Sequence, residues 1–157
     1  MEEHKMNGKL KTVLTVAAVP VFGFILLNLT FMFDYGYQSL INRFFPHNYD
    51  MDVSWFPPLK HISFVVVILV ISFFIFRAKK LKDIYKAIYA CVPAAVVLVT
   101  IGMFLYHWQI LVYIVSAAVY AAIILYLFLK KKPWVYWYSV TLTAAVLLIM
   151  AVTGVEI

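Results

Sequence analysis

Apolar residues in this chain come in long unbroken runs, not in alternation. Five stretches, residues 12–33, 57–76, 84–106, 109–129 and 134–155, are apolar along nearly their whole length. A helix needs about 20 apolar residues to cross a hydrocarbon core of about 30 Å, so each run is of spanning length. Strands of a membrane barrel would alternate with period two, so the runs predict helices. The second has the shortest uncharged stretch, between Lys60 and Arg77, and Lys60 is expected to snorkel to the headgroups. No formal charge lies between Ala87 and Leu129. One straight helix over that distance would measure roughly 65 Å at 1.5 Å per residue, twice a bilayer. The chain is therefore expected to reverse at His107-Trp108-Gln109. The predicted fold is all-α: a polytopic integral membrane bundle of five transmembrane helices, forming a single domain over 1–157.

The first run follows Lys5, Lys9 and Lys11, as a signal peptide would. Its 22 uncharged residues exceed the usual h-region of about 7–15, and no small-x-small cleavage site follows Phe33, so it is expected to remain a span. The outer loop is placed at 34–56. Within it Tyr37, Leu40, Ile41, Phe44 and Phe45 follow helical spacing, with Gln38, Ser39, Asn42 and Arg43 between them. That pattern predicts a short interfacial amphipathic helix on the outer membrane surface. Pro46 is expected to end it, residues 47–52 to be irregular, and Pro57-Pro58 to open the second span, since proline fits a first helical turn.

Composition agrees with the runs and narrows the function. The chain has 157 residues, 66% hydrophobic and 13% charged, with a mean hydropathy of +0.96. A soluble domain is nearer half apolar and a quarter charged. A soluble enzyme, a nucleic-acid-binding module and a disordered protein are excluded. Charge then orients the spans. Residues 1–11, 77–86 and 130–133 share one side and hold 11 of the 13 basic residues, for a net charge of +8 against −2 on the other side. Cytoplasmic flanks are enriched in Lys and Arg, so the expected topology is N-in/C-out in the cell membrane. Lys130-Lys131-Lys132 reads first as an orientation signal, and it can attract anionic lipid. Expected partners are membrane lipid, and another membrane protein or a second copy of the chain; nucleic acid is not expected. The lone Cys91 permits no intrachain disulfide, and the sequon at Asn28-Leu29-Thr30 lies inside a span.

Close helix contact in lipid uses small residues four apart. Ala90 and Ala94, Ala117 and Ala121, Ala118 and Ala122, and Ala144, Ala145, Ala151 and Gly154 predict a tight core of the third, fourth and fifth spans. The second span, poor in small residues, is expected to be the most lipid-exposed. Pro20 and Pro93 are expected to kink the first and third spans.

Candidate chemistry collects on the outer side, where the map places His47, His61, His107, Asp34, Asp50 and Asp52. His and carboxylate can hold a metal or relay protons. The spacing matches no zinc signature, and solvated loop residues are the alternative, so no metal and no cofactor is assigned; His47, His61, His107, Asp50 and Asp52 are the residues a metal would need. Ligand-binding candidates are Asn28, Asp34, Trp55, His107, Tyr113 and Tyr120. No catalytic residue is assigned: the predicted spans carry no paired acids, and no nucleophile elbow or phosphate loop is present.

Trp55-Phe56-Pro57-Pro58, just before the second span, resembles the Trp-x-Pro-Pro element of the tryptophan-rich sensory protein/translocator protein family, whose members also have five spans. The resemblance covers four residues and the span count. The family's preceding Lys-Pro pair is replaced here by Asp52-Val53, and its later Trp and Asn residues are not evident. It implies a porphyrin- or sterol-like ligand under the first loop.

Three functions follow as expectations. The first is a non-catalytic accessory or assembly subunit acting through helix and lipid contacts. The second is a binder or carrier of an apolar ligand among the first, third and fourth spans. The third is a membrane enzyme using the outer His/Asp cluster. A cavity of a few hundred Å³ separates the second from a solidly packed subunit. Histidine nitrogens farther apart than about 8 Å would sink the third, because metal–nitrogen bonds are near 2 Å.

Overall fold

The computed structural model describes residues 8–44 and 56–153. These form six helical segments: α1 (Gly8–Phe44), α2 (Phe56–Arg77), α3 (Asp83–Tyr89), α4 (Cys91–Phe104), α5 (Gln109–Leu129) and α6 (Trp134–Thr153). The described residues contain no strand. Thr12–Phe44, Asp83–Phe104, Gln109–Leu129 and Trp134–Thr153 are long and apolar enough to cross a membrane, and His61–Arg77 is a shorter apolar stretch. The protein is a multi-pass helical membrane protein.

Several expected boundaries coincide with observed ones. The reversal falls between Phe104 and Gln109, Pro57 and Pro58 lie in the first turn of α2, and α5 occupies the fourth run. Pro93 acts where it must. It has no N–H to offer the Tyr89 carbonyl, and α3 gives way to α4 at Ala90, which keeps helical dihedrals and its bonds to Lys86 O and from Ala94 N. Pro20 lies inside α1 without ending it. Residues 45–55, which include Pro46 and the stretch expected to be irregular, lie outside the described residues.

The interfacial helix is corrected. Residues 34–44 do not form a separate surface element; they continue α1, which runs for 37 residues. No proline intervenes to stop it, and Gln38 and Tyr37 brace the extension. Gln38 Nε2 donates to Asp34 Oδ1 at 3.1 Å, one turn away. The Tyr37 hydroxyl donates to Ser63 Oγ of α2 at 2.9 Å, and its ring packs beside Phe33 and Phe64.

The packing order is corrected as well. α2 is not the most exposed helix: it buries His61, Phe64, Ile68 and Ser72, whereas α5 buries only Leu127. The centre is α4, which touches α1, α2, α5 and α6. One core cluster sets Ala87, Ala90 and Ala94 against Leu127, Tyr136 and Val140; the other joins Phe64 and Ile68 to Cys91, Val92 and Val96. Small residues thus pack against large ones such as Tyr136. The alanines of α5 at 117, 118, 121 and 122 are exposed.

Polar ties fix the lysine-rich end. Lys86, buried on α3, donates from Nζ to the Phe76 carbonyl at 3.1 Å, capping a last-turn carbonyl of α2 that has no helical partner. The α5–α6 turn closes by Lys132 N to Leu127 O and Lys131 N to Phe128 O, both at 3.0 Å. This is a Schellman closure, with Lys131 at φ 48° where glycine is usual.

Candidate functional site

α1, the α3–α4 pair and α6 run in the same direction. Their starts meet where the Tyr138 hydroxyl donates to Val16 O at 3.3 Å and the Tyr136 hydroxyl to Asp83 Oδ1 at 3.4 Å. α2 opposes α4: His61 faces Thr100, and Ser72 faces Tyr89. Between the three parallel helices the packing leaves a groove of about 460 Å³, open along one side.

A close approach of two helices borders it. Gly23 of α1 lies against Cys91, whose thiol donates to the Gly23 carbonyl at 3.7 Å. Farther along, Leu27 and Phe31 of α1 and Val146 and Met150 of α6 line it. Ser139, Thr143, Val146 and Met150 recur on one face of α6 at helical spacing and form one wall. Val19, Gly23 and Leu27 form the opposite one, and Cys91 and Ala95 line the floor.

Few polar groups line this groove, and nearly all are committed to backbone. Asn28 Nδ2 donates to Phe24 O at 2.8 Å, and Thr143 Oγ1 donates to Ser139 O at 2.9 Å. The exception is Ser139. Its side chain is 1% exposed, and its hydroxyl has no hydrogen-bond partner. Serines inside helices ordinarily bond a carbonyl one turn back. A buried hydroxyl left without a partner costs about 1–3 kcal/mol.

The expected ligand residues do not gather here. Of Asn28, Asp34, His107, Tyr113 and Tyr120, only Asn28 lines the groove. Asp34 accepts from Gln38, and the Tyr120 hydroxyl pairs with Thr141 Oγ1 at 2.9 Å. His107 and Tyr113 are exposed, His107 against the Tyr106 ring beside an open concavity at the α4–α5 turn. Trp55 lies outside the described residues. The cavity expected among the first, third and fourth spans is found among the first, third and fifth. Ser139 and Cys91 were not singled out from sequence as ligand residues; the Ser139–Thr143 spacing on α6 was the available signal.

The outer His/Asp set is divided in the same way. His47, Asp50 and Asp52 lie outside the described residues. His61 is buried, with Nε2 at 3.0 Å from Thr100 Oγ1. Because Thr100 donates its own proton to Val96 O at 2.6 Å, Oγ1 accepts from His61 Nε2–H. The other ring nitrogen, Nδ1, is buried and unpartnered. Among the described residues no three of His, Cys, Asp and Glu stand close enough to share a metal.

Comparison with protein families, curated proteins and solved structures gives no match. The likeness at Trp55-Phe56-Pro57-Pro58 therefore stays confined to those residues and the expected span count. What the site does has to be read from its own walls. They are apolar, elongated and open on one side, with one free hydroxyl.

Proposed function

We propose that the protein is a five-span, N-in/C-out protein of the cell membrane that holds an apolar ligand in the groove between α1, α4 and α6. The observation that carries this reading is the groove itself. At about 460 Å³ it falls within the usual range of small-molecule sites, roughly 300–1,000 Å³. The reading needs no catalytic residue. An accessory subunit acting only through helix contacts would leave such a space filled, so the apolar-ligand reading is the better supported of the two. The enzyme reading lacks a cluster among the described residues to rest on.

Binding is tested with a solvatochromic apolar dye and the full chain in mild detergent. Wild type is expected to bind saturably at one dye per chain. Val146→Trp, which places an indole on the groove wall, is expected to abolish the signal. Equal dye binding by both proteins would overturn the reading. The five-span map is tested separately by a reporter fused after Ile157: an external signal is expected, and a cytoplasmic one breaks the map.

A further inference from the structure

The shape of the groove restricts what fits. Its α1 wall runs from Val19 to Phe31 and its α6 wall from Ser139 to Met150, spans of about 16–18 Å at 1.5 Å per residue. An extended hydrocarbon chain matches a groove of that length with an almost wholly apolar lining. With C–C bonds of about 1.5 Å, an extended chain advances about 1.3 Å per carbon, so the groove takes about 12–14 carbons.

The groove also has distinguishable ends. Ser139 is its first α6 residue and Met150 its last, so the unpartnered hydroxyl stands at the end where α6 begins. Ser139 directly follows Tyr138 at the inner edge of the aromatic collar of Trp134, Trp137 and Tyr138. Just before α6 come Lys130, Lys131 and Lys132; the first two are exposed, and Lys132 Nζ rests 5.4 Å from the Tyr136 ring centroid. From the lysine end inward the order is therefore cation, aromatic collar, hydrogen-bond donor, apolar channel. An anionic phospholipid presents the matching order: charged phosphate, glycerol, ester carbonyl, acyl chain.

We infer that the groove binds one acyl chain of an anionic phospholipid, with its ester carbonyl accepting from the Ser139 hydroxyl and its headgroup under Lys130–Lys132. This rests on the groove holding an apolar ligand and adds the ligand's class and polarity. The Ser139 hydroxyl, without a partner in the protein, acquires an acceptor on binding. The lysines that orient the chain also select the headgroup.

The test uses the full chain in nanodiscs of roughly equal phosphatidylglycerol and phosphatidylcholine, released into native mass spectrometry. One phosphatidylglycerol per chain is expected to stay bound. Val146→Trp removes it, and Leu142→Trp on the same wall serves if the first variant aggregates. Ser139→Ala weakens retention about three- to tenfold, the worth of one hydrogen bond. Replacing Lys130, Lys131 and Lys132 by Gln lowers the preference for phosphatidylglycerol at least tenfold, at roughly fivefold per lysine, with the Ile157 reporter confirming unchanged orientation. Retention unchanged by both Trp variants overturns the groove and the lipid together. Loss in those variants of a free fatty acid, a fused-ring compound or a phospholipid held without headgroup preference keeps the groove and overturns the lipid assignment.

Discussion

Two of the long helices are nearly equal in hydropathy and opposite in position. The α3–α4 stretch has a mean hydropathy of 2.2 and α5 one of 2.5, yet 44% of the first is buried in the bundle and 6% of the second. Both carry alanines four residues apart. In the α3–α4 stretch they meet Tyr136, Val140 and Leu127; in α5 they face outward. In lipid there is no hydrophobic drive separating inside from outside, because acyl chains are as apolar as leucine. What places α4 at the centre is complementary shape and a few polar ties, not greater apolarity.

Overpacking should show the contrast most strongly. Ala90→Leu pushes a branched side chain into the Tyr136 cluster and should cost about 1–3 kcal/mol. Ala121→Leu on the outer face of α5 should stay within about 0.5 kcal/mol. Denaturation of both variants in mixed micelles measures the gap; equal losses would mean that α5 is buried against something in the assembled state. Polar ties give the next test. Thr100→Val leaves both His61 ring nitrogens without partners in the core of the α2–α4 contact and should cost about 1–2 kcal/mol. Tyr120→Phe, which breaks the exposed bond from α5 to Thr141, should cost about 0.6 kcal/mol, the average for such bonds between membrane helices. The smallest effect should be a gain. Lys131→Gly relieves a left-handed residue at the end of α5 and should stabilise by about 0.5 kcal/mol, read as a higher Tm.

The same contrast explains what could be read in the residues alone. Span lengths were legible because an uncharged run of the right length has one sensible fate in a bilayer; α5 matches its run at both ends, and Pro93 marked the α3–α4 break. Which helix lies inside was not legible, since an Ala-x-x-x-Ala pair permits close contact without naming the partner. Ser139 was invisible for a related reason: a serine in an apolar run usually bonds its own helix, as Ser72 does to Ile68. Only the placement of α1 and α4 across from it shows that this one does not. The extension of α1 was misread because its polar residues fit a surface helix equally well; the deciding contact, Tyr37 to Ser63, joins residues 26 apart.

That extension has a mechanical consequence. Thr12–Phe44 comprises 33 residues, about 50 Å of continuous helix. Even at a steep tilt of about 40°, a hydrocarbon core of about 30 Å conceals only about 39 Å of it. Between roughly 10 Å at that tilt and 20 Å when upright must therefore stand clear of the acyl chains as a rigid post, carrying Leu40, Arg43 and Phe44 among headgroups and water. Tilt then sets the height of that post, and a spin label at Arg43 read against a water-soluble relaxant measures it directly.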